Sequence, residues 1–146
     1  MAMLILRRVF GVWCWVIAVA VVAQVYLAGL YVFGGSSIEA HIVVGSFLLF
    51  ATLLGGIFAL IARMPGRVAV TSWALFGLVV VQVALIEVGN AAGIPLLKAL
   101  HPVNALAIFA VSGMLAWRSR GNIVASRREA RAAPLAPAGD SAATAL

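Results

Sequence analysis

Four apolar runs, each about as long as a bilayer is thick, divide the chain: residues 9–33, 37–62, 68–88 and 95–117. A hydrocarbon core of about 30 Å is crossed by roughly 20 helical residues. Inside lipid every backbone N–H and C=O needs a partner within its own segment, so each run reads as an α-helix. The breaks between them hold turn-forming residues: Gly34-Gly35-Ser36, Met64-Pro65-Gly66 and Asn90-Ala91-Ala92-Gly93. Ser36 with Glu39 three residues on has the spacing of a capping box opening the second helix. Pro95 suits the first turn of the fourth. With hydrophobic residues at 65% and a mean hydropathy of +1.17, the chain has too little polar surface to cover a water-soluble core. The expected fold is all-α: a polytopic membrane protein with an up-down bundle of four transmembrane helices.

Charge sets the expected orientation. Arg7 and Arg8 precede the first run, Arg63 and Arg67 lie between the second and third, and Arg118, Arg120, Arg127, Arg128 and Arg131 follow the fourth. Those are nine of the ten Lys and Arg, and they fall at one end, with Lys98 alone at the other. Basic residues stay on the cytoplasmic side, which places both termini there, in a bacterial-type inner (plasma) membrane. The four tryptophans, Trp13, Trp15, Trp73 and Trp117, cluster toward the same end, as an interfacial belt does. The net charge of +6 thus reads as a topology signal with a solvated tail, with a basic patch on anionic lipid as the alternative, and not as a nucleic-acid footprint. The first run is longer than a signal-peptide core and lacks a clear A-x-A site, so it reads as a retained helix. From Gly121 the chain is rich in Ala, Pro and Arg, and residues 121–146 read as a disordered cytoplasmic tail.

The two halves repeat. "WVIAVAVVAQVYL" (15–27) aligns with "WALFGLVVVQVAL" (73–85), pairing Trp15 with Trp73 and Gln24 with Gln82 at an offset of 58. At an offset of 60, His41 pairs with His101. Two helical hairpins in tandem predict a pseudo-symmetric bundle.

The chain has only these two histidines. In an up-down bundle the second and fourth helices are diagonal. His41 and His101 lie five and six residues into them, about 7–9 Å along the helix at 1.5 Å per residue. They are therefore expected at matching depth across the bundle axis. Ionisable groups within a span face the interior or a cavity. A haem ligated from both faces is one group that fits between them. Gly45 and Ala105, one turn on, are small enough to let a flat macrocycle approach. Gln24 and Gln82, on the other diagonal, are placed to orient an imidazole or to bond propionates, and Asn104 is a further donor. The competing readings remain open: interfacial polar anchors for the histidines, and interhelical hydrogen bonding for the glutamines. Two histidines alone do not make a tetrahedral zinc site. Glu39 reads as a capping carboxylate, Glu87 as a partner of Lys98 or a water-facing group, and Cys14 as a small buried hydrophobe that excludes an intramolecular disulfide. No catalytic constellation is visible, because an enzyme needs more converging polar groups than this.

"IEAHIVVGS" and "LHPVNALAIFA" resemble the second and fourth helices of one half of haem A synthase. The layout of residues 9–117 is similar throughout, and it also looks like small four-helix bacterial membrane proteins with an "HPVN" motif in the last span. The resemblance implies that Glu39, His41 and His101 stand at that family's glutamate and histidine positions. The chain departs from the pattern in having one half only, Glu39-Ala40-His41 in place of Glu-x-x-His, Ile42 after the histidine, and no outer cysteine pair. What it implies is therefore a b-type haem module rather than haem hydroxylation. The partners expected are a quinone or a redox protein, and a homo-oligomer would restore eight helices. An accessory membrane protein without a cofactor is the alternative.

Overall fold

A computed structural model describes residues 2–132. They form four α-helices: α1 (Ala2–Val32), α2 (Glu39–Ile61), α3 (Gly66–Ala91) and α4 (Pro95–Ala132). All four are long and apolar enough to cross a membrane, the relevant part of α4 being Pro95–Gly121. The chain is a multi-pass membrane protein. Large apolar side chains such as Val12, Val19, Val43, Phe50, Leu54 and Leu106 are exposed on the outside of the bundle. Such a surface would be a liability in water and is what lipid requires.

Each helix packs on its two sequence neighbours, and α4 closes the ring against α1. α1 and α3 are diagonal, as are α2 and α4. The bundle has two unlike ends. One carries the α1–α2 and α3–α4 turns and is called the turn end below. The other carries the α2–α3 link together with Arg7, Arg63, Arg67 and Arg118, and is the arginine end.

Three helices stop in the same way. After α1, Gly35 N–H donates to Leu30 O and Gly34 N–H to Tyr31 O, with Gly34 at φ +72. After α3, Ile94 N–H donates to Gly89 O and Gly93 N–H to Asn90 O, with Gly93 at φ +65. Both are Schellman closures, in which a left-handed residue lets the chain satisfy the last carbonyls. α2 ends on the same pattern, Met64 N–H to Ala59 O and Arg63 N–H to Leu60 O, but the left-handed residue is Arg63, at φ +46. Arg7 reinforces this end by donating to Ala62 O at 3.3 Å and Arg63 O at 3.0 Å.

Three expectations need correction. The residue that caps α2 is Ile38, and it makes no side-chain capping hydrogen bond. Ser36 bonds Ser37 O and the Ser37 hydroxyl bonds Glu39, so the serines and the carboxylate satisfy one another instead of forming a capping box. Trp13 is not purely interfacial, since its indole N–H donates to Ala51 O at 3.0 Å inside the bundle. Helix α4 continues to Ala132, beyond the point where a tail was expected. "ASRREARA" is made largely of good helix formers, and the next proline is Pro134. The rest of the expected tail, 133–146, lies outside the described residues.

The core extends from the arginine end to about mid-bundle. Phe10, Cys14, Ile17, Ala18 and Val21 of α1 meet Leu48, Ala51 and Ala59 of α2, Val68, Leu75 and Val79 of α3, and Ile108, Leu115 and Ala116 of α4. In chain position most of these lie toward the arginine end, with Val21, Leu48, Val79 and Ile108 near mid-helix. Within this core, Gly55 and Gly56 let two tryptophans lie against α2. A Cβ on Gly55 would sit 3.6 Å from Trp13, and one on Gly56 would sit 3.0 Å from the Trp73 ring. Near the turn end the core gives way to a cavity.

Candidate functional site

The cavity has a volume of about 320 Å³, within the usual range for ligand sites. Val21, Leu48, Val79 and Ile108, one from each helix, are buried and form its apolar floor. They are repeat mates: 21 and 79 differ by 58, and 48 and 108 differ by 60. Above the floor the wall turns polar, with Gln24, His41, Gln82 and His101 all lining it.

The two imidazoles face one another across the bundle axis with ring centres 6.3 Å apart and planes inclined at 55°. Matching depth on diagonal helices is thus what the tandem repeat produces. His101 stays inside α4 because the helix begins at Pro95 and runs through Pro102. Proline is tolerated in a membrane helix where neighbouring helices support the backbone.

Each ring is held by the helix preceding its own. His41 Nδ1 lies 3.3 Å from the carbonyl oxygen of Gln24, and His101 Nδ1 lies 3.1 Å from that of Gln82. A carbonyl only accepts, so Nδ1 carries the proton and donates in both cases. Nε2 is then the nitrogen with a free lone pair on each ring, and neither Nε2 makes a hydrogen bond to a described residue. This is the arrangement by which proteins fix the tautomer and orientation of a ligating histidine.

The glutamine side chains are used differently from one another. The Gln24 amide donates to His41 O at 2.9 Å, so Gln24 and His41 each bond the other's backbone. Gly45 makes room for this amide, since a Cβ there would lie 3.0 Å from Gln24 Nε2. The small residue expected to admit a macrocycle therefore seats Gln24 as well as lining the cavity. Gln24 Oε1 is buried without a hydrogen-bond partner among the described residues. In the second hairpin, Gln82 Oε1 accepts from Asn104 Nδ2 at 2.6 Å, and the same Nδ2 group donates to Leu78 O at 2.9 Å. Asn104 was legible in the sequence only as a spare donor; it holds the second glutamine in place. Ala105 lines the cavity beside His101.

The remaining candidates lie outside this constellation or at its edge. Glu39 is exposed at the start of α2 and does not line the cavity. Glu87 lines the rim, is exposed, and forms no ion pair with Lys98. Cys14 is buried in the core toward the arginine end. Among the described residues no three His, Cys, Asp or Glu side chains come together as a metal-ion cluster, so the pair of histidines stands alone as a donor set.

Residues 24–91 match a family model described as a family of unknown function (DUF6220). The match is similar in extent to the middle of the bundle and takes in Gln24, His41, Gly45 and Gln82, stopping short of His101. No curated protein and no solved structure matches the chain.

Proposed function

We propose that this membrane protein is a b-type haem module in which His41 and His101 are the axial ligands through Nε2. The reading is carried by the separation of the two rings. Metal–imidazole bonds of about 2 Å, with about 1 Å more from each nitrogen to its ring centre, put two imidazoles on one iron roughly 6 Å apart. The observed centre-to-centre distance is 6.3 Å. The donor set suits iron in a macrocycle, which needs two axial nitrogens from the protein, and does not suit a bare ion that needs three or four. The resemblance of the two histidine segments to one half of haem A synthase points the same way.

The chain's own residues would do the following. Gln24 and Gln82 carbonyls hold each imidazole by its Nδ1–H, fixing its tautomer and leaving the Nε2 lone pair free to ligate. The Gln24 amide and Asn104 fix the backbones and side chains that carry those carbonyls. Val21, Leu48, Val79 and Ile108 close the site to water from the arginine end. Held by His41 and His101, a haem would supply one-electron transfer, which suits exchange with a quinone or a redox protein. The arginine end would face the cytoplasm, with both termini there.

One observation favours the alternative of an accessory protein without a cofactor. The same Nδ1 bonds join α1 to α2 and α3 to α4, so the histidines also staple the hairpins. An optical spectrum of the detergent-purified protein, oxidised and dithionite-reduced, decides between the two. Sharp reduced bands of a low-spin haem, lost in both His41→Ala and His101→Ala, are expected. A folded, colourless protein obtained with ample haem would overturn the haem reading and leave the histidines as staples.

A further inference from the structure

The cavity is not closed symmetrically. At the turn end the chain joins α1 to α2 and α3 to α4, while the α2–α3 link lies at the opposite end. Around the cavity the hydrogen bonds between helices follow the same division. Gln24 with His41 ties the first hairpin, and His101 with Gln82 and Asn104 with Leu78 tie the second. No chain connection and none of these bonds crosses the α2/α3 seam or the α1/α4 seam at this level.

Only one of those two seams opens widely onto the cavity. Ile42, Ser46 and Leu49 of α2 and Val83, Ile86 and Glu87 of α3 all line it. Ile42 is 56% exposed and Val83 43% exposed, so both touch the cavity and the bilayer-facing surface. Ser46 is exposed as well, with its hydroxyl satisfied by Ile42 O at 2.9 Å. The repeat explains why the other seam differs. The α4 mates of Ile42, Ser46 and Leu49 at an offset of 60 are Pro102, Leu106 and Phe109, and none of these lines the cavity. A serine on one side of the pseudo-twofold is a leucine on the other, and a leucine is a phenylalanine. On the α1 side only Val25 is both exposed and lining.

We infer that the α2/α3 seam is a lateral portal through which the cavity exchanges its ligand with the bilayer, and that the ligand is a flat, largely apolar amphiphile dissolved in the membrane. The identity of that ligand as a porphyrin rests on the haem reading; the portal does not. Apart from the Glu87 carboxylate at the rim, the lips are apolar or, at Ser46, satisfied in their own hydrogen bonds, so they admit such a molecule at little desolvation cost, and the unlaced seam is where the two hairpins separate most readily. A ligand seated between His41 and His101 then links the hairpins across the axis.

The test reads access to the cavity without haem. Ala105→Cys is introduced into Cys14→Ser protein in vesicles, and modification of the new thiol by a lipid-dissolved benzyl methanethiosulfonate is timed by mass spectrometry. Val83→Trp, placed on the portal lip, is expected to slow that modification about tenfold or more. Val25→Trp, its repeat mate at the other seam, is expected to leave the rate within about twofold. Ser46→Trp on the opposite lip repeats the first result should Val83→Trp not fold. Equal slowing by Val25→Trp and Val83→Trp, no slowing by either lip variant, or an inert thiol in the Ala105→Cys protein before any lip is altered would overturn the portal. Failure of the haem reading is separately visible, as colourless protein with this labelling pattern intact.

Discussion

At the scale of single residues, the bundle is decided by where a side chain is missing. Gly56 lets the Trp73 ring lie against α2, and a Cβ there would stand 3.0 Å from two ring carbons. An indole cannot give way like the end of a flexible chain, so Gly56→Ala is expected to destabilise by about 1–3 kcal/mol through overpacking. Gly77, exposed on the same helix as Trp73, meets nothing within 4 Å, and Gly77→Ala should stabilise by about 0.5–1 kcal/mol. Denaturant midpoints of the two variants in one detergent should move in opposite directions; movement the same way would show that the Gly56 contact is not what limits packing. The two histidines were legible as a matched pair because so few polar residues interrupt the runs. The job of Gly45 was not, because spacing shows that Gly45 follows His41 by one turn but not that Gln24 reaches across from α1 to fill the space.

At the scale of helices, the ends repay comparison. Gly34 and Gly93 close α1 and α3 in left-handed conformations that glycine adopts at little cost. Arg63 does the same work at the end of α2 with a side chain attached. A left-handed backbone costs an L-residue about 1–2 kcal/mol, so Arg63→Gly should raise the unfolding free energy by about 1 kcal/mol, and Gly93→Ala should lower it by about the same. A loss of stability in Arg63→Gly would mean that the side chain contributes more than its backbone strain. The turns were readable from their glycines, and the spans from their length. The α2 cap was misjudged because Ser36, Ser37 and Glu39 bond one another, a competition that spacing alone does not reveal. The length of α4 was misjudged because Ala and Arg are common both to tails and to helices.

At the scale of the whole molecule, one half of the bundle is packed and the other is hollow. The packed half, from Phe10 to Val21 and its counterparts on the other helices, holds the fold. The hollow half brings two imidazoles together from hairpins that, among the described residues, no hydrogen bond joins at that level. A ligand binding both rings should therefore stabilise the folded chain. Haem at a hundred times its dissociation constant is expected to add about 2.7 kcal/mol in the parent. His41→Ala and His101→Ala should each lose most of that gain. Thermal unfolding with and without added haem checks this, and an equal gain in the parent and both variants would place the haem elsewhere.

The amino-acid sequence by itself determined four spans, their breaks, the tandem hairpins and the matched depth of His41 and His101. These follow from local quantities: apolar length against bilayer thickness, turn chemistry, and position along a helix. The tertiary structure alone decided the order of helices around the axis, the carbonyls that turn each Nδ1, the use of Asn104 to hold Gln82, and the side on which the cavity opens. Those depend on which faces of different helices meet. In a chain where apolar residues surround every helix, periodicity says little about which face turns inward.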